Sequence, residues 1–277
     1  MAEVAEVLEN LEPFPLKEMD KRGWFEDLHE KSLIDTAKRF FLEFGGSRVT
    51  TTTFHRKKVR TGSDLNEEAL FAWQVRAMQL VRKKELLEDG YPVCWEASWV
   101  PDLVKLSNKR DGPILARDFL WQKGIALVVE RHLQGMHTDG AAWMSESGRP
   151  TIGLTLRHDR LDNFWFTLLH ELGHVLLHLS KTSEYDFFDE EHETSDEFEK
   201  EADEFAQNML IPKKKWDMCS SRFILSEDEL IEDAREIEVH PAILAGRIRR
   251  DKNNYTLFHN QLGQNTVSYL FWNDNAE

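Results

Sequence analysis

Apolar residues recur at helical spacing from Leu33 to Phe44, and the run stops at Gly45-Gly46. A second helical run extends from Asn66 to Leu87 and ends near Gly90 and Pro92. Shorter helices are predicted over Asp102 to Ser107 and Ile114 to Lys123, the latter closed by Gly124. The period then shortens. Ile125 to Glu130 is a β-rich run after a glycine, and Gly140 to Ser145 and Thr151 to Leu156 are two more, joined by the turn-type sequence SESGRP. Helical spacing returns over Asp162 to Ser180. An acidic loop at 181–195 follows, then a helix from Asp196 to Ile211, stopped by Pro212. Glu227 to Glu238 and Pro241 to Asp251 read as a helix pair, and Asn265 to Trp272 predicts a closing strand. The order predicts an α+β protein in three parts. These are a mainly helical N-terminal region (1–120), a core of strands and helices (121–215), and a C-terminal helix pair with its closing strand (216–277).

Composition narrows the function classes. The 277 residues carry 35 Lys and Arg against 50 Asp and Glu, a net charge of −15. Such a molecule is repelled by phosphate backbones, so direct nucleic-acid binding is not expected. Nine Trp and 17 Phe exclude wholesale disorder. The most apolar stretch, Phe164 to Leu179, holds three His and one Glu, which argues against a membrane span. Cys94 and Cys219 are the only cysteines, too few for a disulfide framework or a four-cysteine zinc site. The start, MAEVAEVLENLEPF, is acidic and lacks the basic and apolar regions of a signal peptide. A soluble, cytoplasmic protein is the expectation.

The sharpest chemistry is HELGH at 170–174. On a helix, His170 and His174 are one turn apart on one face, so their imidazoles can converge on a tetrahedral metal ion. Glu171 is then placed as general base toward the attacking water. His178 continues the spacing but lies about 12 Å along the axis from His170, too far to share an ion, and reads as a packed or hydrogen-bonding partner. A third ligand should come from another element. On the helix EFEKEADEFAQNML the apolar face is Phe198, Ala202, Phe205, Ala206, Met209 and Leu210. Glu199 sits about 60° from the centre of that face, and Glu201 about 100° away on the other side, the alternative ligand. Asp203 shares the side of Glu199 and is placed to accept the free N–H of a ligating His. Tyr185 and His192, in the loop between the two helices, are candidates to stabilise the transition state.

These residues resemble the ImmA/IrrE family of zinc metallo-endopeptidases. The likeness rests on LRHDRLDNFWFTLLHELGHVLLH at 156–178, EKEADEFAQNMLIP at 199–212 and VHPAILAGRI at 239–248, and spans roughly 115–271. It implies a minimal zincin-like core flanked by a helical N-terminal region and a small helical tail. It implies zinc held by His170, His174 and Glu199, with Glu171 as catalytic base; the donor set of two imidazoles and one carboxylate favours zinc and leaves manganese as the alternative. It also implies a protein substrate, since the family's known substrates are helix-turn-helix repressors in stress, phage or mobile-element circuits. Many members carry an N-terminal antitoxin-type helix-turn-helix domain. The first 110 residues here resemble only the connector that follows such a domain.

Three readings compete. The first is an intracellular zinc endopeptidase cleaving a DNA-binding repressor or antitoxin. The second is a non-catalytic zincin-fold binding module of a toxin–antitoxin or phage-regulatory pair. The third is a DNA-binding regulator using the 227–251 helix pair with Arg247, Arg249, Arg250 and Lys252, although a scaffold role suits two packed helices better.

Overall fold

In the computed structural model, the described residues are 10–25, 32–44, 66–87, 90–145, 147–179 and 192–272. The helical front comprises α1 (Leu16–Lys21), α2 (Leu33–Phe44), α3 (Glu67–Leu87), α4 (Val100–Lys105) and α5 (Gly112–Gln122). Three strands follow: β1 (Ala126–Val129), β2 (Gly140–Met144) and β3 (Pro150–Leu154). Then come α6 (Leu161–Gly173), running into a π-helical turn over His174–His178, and α7 (His192–Leu210). The chain closes with α8 (Lys213–Met218), α9 (Glu227–Ile237), α10 (Pro241–Asp251) and α11 (Thr266–Trp272). Among the described residues, helices packed around one small sheet make an α+β, zincin-like arrangement.

The sheet has the order β1-β3-β2. β2 and β3 form the antiparallel hairpin, with Gly140 opposite Leu154 and Met144 opposite Pro150. β1 joins the far side of β3 in parallel, Ala126 beside Thr151. Strand alternation sends side chains to two different cores. Leu127, Ala142, Ile152 and Leu154 face the core built with α4, α5, α6, α7, α9 and α10. Ala126, Val128, Ala141 and Trp143 face a second core with Trp24, just after α1, Phe41 of α2 and Trp73 of α3. α6 lies inside the first core, buried at Phe164, Trp165, Leu168, Leu169 and Leu172. Its polar residues therefore sit in an apolar setting.

The expected closing strand is corrected: Thr266–Trp272 is a helix. Its composition, TVSYLFW, favours a strand locally. A distant residue decides otherwise. The carboxylate of Asp159 accepts from Val267 N (3.2 Å) and Ser268 N (3.1 Å), satisfying N–H groups that the first helical turn leaves open. Val267 is then buried and Phe271 meets Phe164.

The helix expected over Asp162 to Ser180 also differs. It is α-helical only to Gly173 and then widens, Leu179 N–H reaching back to His174 O. No helix among the described residues is long and apolar enough to cross a membrane.

Candidate metal centre

α6 and α7 pack side by side and carry the centre between them. Gly173 sets their separation. A Cβ there would stand 3.1 Å from Ala202 Cα and 3.2 Å from a ring carbon of Phe205. The glycine inside HELGH therefore lets the backbone of α7 come close enough for its carboxylates to reach the histidines. Gly140 does the same on the other side. A Cβ there would lie 3.0 Å from Cγ of Glu171, so β2 packs directly over the general-base candidate.

His170, His174 and Glu199 converge, with one ligand atom from each within 4.8 Å of the others. The two Nε2 atoms are 3.2 Å apart. Glu199 Oε2 is 3.5 Å from His170 Nε2, and its Oε1 is 3.3 Å from His174 Nε2. Ligands bound tetrahedrally at zinc distances lie roughly 3.3 Å apart, so the triangle has the size of a zinc face.

Charge and proton placement agree with that fit. His170 Nδ1 is 2.9 Å from Asp203 Oδ1, so an ionised Asp203 accepts the Nδ1 proton and leaves Nε2 as a lone pair. That lone pair faces another imidazole and a carboxylate, a set of acceptors that a cation satisfies. Burial works to raise the Glu199 pKa. When no cation is bound and the two imidazoles are protonated instead, their hydrogen bonds and positive charge outweigh burial and hold the carboxyl far below the usual carboxylate range. Asp203 behaves alike: burial opposes ionisation, and the bonds and charges of His170 and Arg250 bring its pKa down to about 2.

Glu171 is 2% exposed and sits beside the pair on α6. Glu201, the alternative ligand, is elsewhere: its carboxylate bonds His178 Nε2 at 3.0 Å. His178 Nδ1 in turn lies 3.0 Å from His174 Nδ1. Tyr185 falls outside the described residues, and His192 contributes the first position of α7.

Sequence reasoning weighed Arg250 only for DNA contact and missed its place here: its Nη2 donates to Asp203 Oδ2 at 2.9 Å while its guanidinium lies over Phe166. No local pattern links α10 to α7, and only the fold brings them together. Two other arginines of α10 also turn inward. Arg247 donates to Gln207 O (3.1 Å) and Ile211 O (2.7 Å) at the C-terminal end of α7. There its charge also meets the negative end of the helix dipole. Arg249 is buried and donates to Leu257 O at 3.0 Å. Arg247 and Arg250, with Phe166 and Trp216, line a cleft of about 450 Å³ behind the Asp203 anchor. Three of the four side chains weighed as a DNA-reading surface are thus engaged within the protein.

Residues 122–249 match the family model described as Peptidase_M78, IrrE N-terminal-like domain. The match contains all of the residues converging on the centre except Arg250, which follows it directly. No curated protein matches the chain.

Proposed function

We propose that this chain, whose residues 122–249 form an IrrE N-terminal-like domain of the M78 peptidase family, is a zinc-dependent endopeptidase that cleaves a specific protein partner. The observation that carries the reading is the His170, His174 and Glu199 triangle with Glu171 buried beside it. Two imidazoles and one carboxylate suit zinc and leave one coordination position open, the pattern of catalytic rather than structural sites. Manganese is the alternative ion, less suited to two nitrogen ligands. When bound, the metal supplies Lewis acidity toward a peptide carbonyl and makes water more acidic.

The chain's own groups do the rest. His170, His174 and Glu199 hold the ion, with Asp203 fixing the His170 ring. Glu171 accepts a proton from the attacking water and delivers it to the departing amine. Tyr185 and His192 are the groups to examine as stabilisers of the tetrahedral oxyanion. The substrate we favour is a helix-turn-helix repressor or antitoxin, on the strength of the ImmA/IrrE resemblance. A non-catalytic module would need the three ligands but not Glu171, since Glu171 is not among the ligand atoms.

Two measurements test this. Zinc-loaded wild type should hold about one zinc per chain, and His170→Ala should lose it. Glu171→Gln should keep the zinc and cleave a candidate repressor at a rate lower by about 10²–10⁴-fold. A Glu171→Gln protein with full biological effect would favour the binding module. Wild type without zinc would remove the peptidase reading.

A further inference from the structure

His178 lies next to the metal centre without joining it. It is 5% exposed on its side chain, and its ring packs against Phe198 with centroids 4.4 Å apart. Packing alone would ask for a phenylalanine. The nitrogens of His178 are instead both used, one toward His174 and one toward Glu201.

We propose that His178 and Glu201 are positioning residues for the metal: a His174–His178–Glu201 chain holds His174 in the one tautomer and orientation that present its Nε2 lone pair to the ion. The inference rests on the metal-binding reading of His170, His174 and Glu199.

Proton placement runs in only one direction. A ligating His174 gives its Nε2 lone pair to the metal, so its proton is on Nδ1. The Nδ1 partner, 3.0 Å away, is His178 Nδ1, which must accept. A neutral His178 then carries its own proton on Nε2. That proton points at Glu201 Oε2, 3.0 Å away, and an ionised carboxylate can only accept. Every link has one donor and one acceptor. Reversing the chain would require a proton on Glu201, whose side chain is 50% exposed to water.

Local structure makes the contact. His174 opens the π-helical turn and His178 closes it. The extra residue in this wide turn rotates His178 from the place an α-helix would give it. π-turns of this kind are rare and concentrate at functional sites. The two ligating histidines are therefore anchored differently. His170 meets a carboxylate directly, through Asp203. His174 meets one through a second imidazole, which passes on the pull of Glu201 and raises the electron density at Nε2.

The test compares full-length wild type, His178→Phe, His178→Gln and Glu201→Ala. Zinc affinity is read by competition with a chromophoric chelator. His178→Phe keeps a ring against Phe198 and removes both nitrogens. His178→Gln keeps an acceptor and a donor in sequence. We expect His178→Phe to lose about tenfold or more in zinc affinity, Glu201→Ala to lose in the same direction, and His178→Gln to recover most of the loss. Nitrogen NMR of zinc-loaded wild type should show His178 protonated at Nε2 and bare at Nδ1, a readout that needs no variant to fold. Wild-type affinity in His178→Phe, equal losses in the Phe and Gln variants, or the opposite tautomer would overturn the proposal. Wild type that binds no zinc would overturn the metal-binding reading itself.

Discussion

Asp203 shows how much one side chain does at this centre. It accepts from His170 Nδ1 and from Arg250 Nη2, both at 2.9 Å, with its own side chain 13% exposed. Its pKa in the fold is about 2 against an ordinary 3.8. A carboxyl depressed in the folded state stabilises the fold above its ordinary pKa, and the stabilisation disappears as pH falls through the folded value. The shift corresponds to about 2 kcal/mol. The metal-free wild type should therefore exceed Asp203→Asn in unfolding free energy by about this much near neutral pH. The gap should close between about pH 4 and pH 2, measured by denaturant titration at each pH. A gap independent of pH would show that the effect is packing, not ionisation. The same variant should bind zinc about 10–100-fold more weakly, because an amide, unlike a carboxylate, can turn its NH₂ to His170 Nδ1 and no longer fixes the tautomer.

At the scale of elements, the centre depends on how closely α6 and α7 approach, and Gly173 controls that. Gly173→Ala places a methyl 3.1–3.4 Å from Ala202, a squeeze of a few tenths of an ångström. It also gains up to about 1 kcal/mol in helix propensity, so its net stability effect is small. Gly173→Val adds two more carbons at the same contact and must push α7 away. Metal sites tolerate about 0.5 Å of misplacement. Gly173→Val should thus lose zinc affinity by about tenfold or more, some 1.4 kcal/mol, while Gly173→Ala stays near wild type. Equal affinity in both variants would mean that α7 does not set the ligand geometry. Helical phase made much of this pairing legible in the sequence. HELGH puts two imidazoles on one face, and the apolar stripe of α7 turns Glu199 and Asp203 toward it. Phase also explains what was not legible. It assumes 3.6 residues per turn, and the turn at His174–His178 departs from that. The same assumption left Glu201 as an alternative ligand, when its partner is His178. The helix at Thr266–Trp272 escaped notice because its N-terminal hydrogen bonds go to Asp159, more than a hundred residues away.

Across the whole molecule, the sheet is a partition with a core on each face, and α1–α3 help build one of them. Trp73 on α3 is fully buried there, meets Trp143 edge-on at 6.4 Å, and donates from Nε1 to Glu130 O at 2.9 Å. Gly153 on β3 makes room for it: a Cβ there would lie 2.5 Å from the Trp73 ring. Such a fit is precise enough that truncation cannot be absorbed by collapse. Trp73→Ala should cost about 3–5 kcal/mol, since it removes a large apolar side chain, leaves a cavity and deprives Glu130 O of its donor. The His170, His174 and Glu199 triangle lies on the other side of the sheet, so on the zinc reading proposed above folded Trp73→Ala should bind zinc as tightly as wild type. The way the loss appears in melting decides whether α1–α3, which pack in the second core, form a separate domain. The strands contribute residues to both cores, so neither can lose its packing without exposing one face of the sheet. A single transition, shifted down in both near-ultraviolet dichroism and calorimetry, is the expected result. Two transitions, with only the earlier one moved by Trp73→Ala, would mean that the N-terminal helices fold and unfold on their own and that the sheet's second face survives without them.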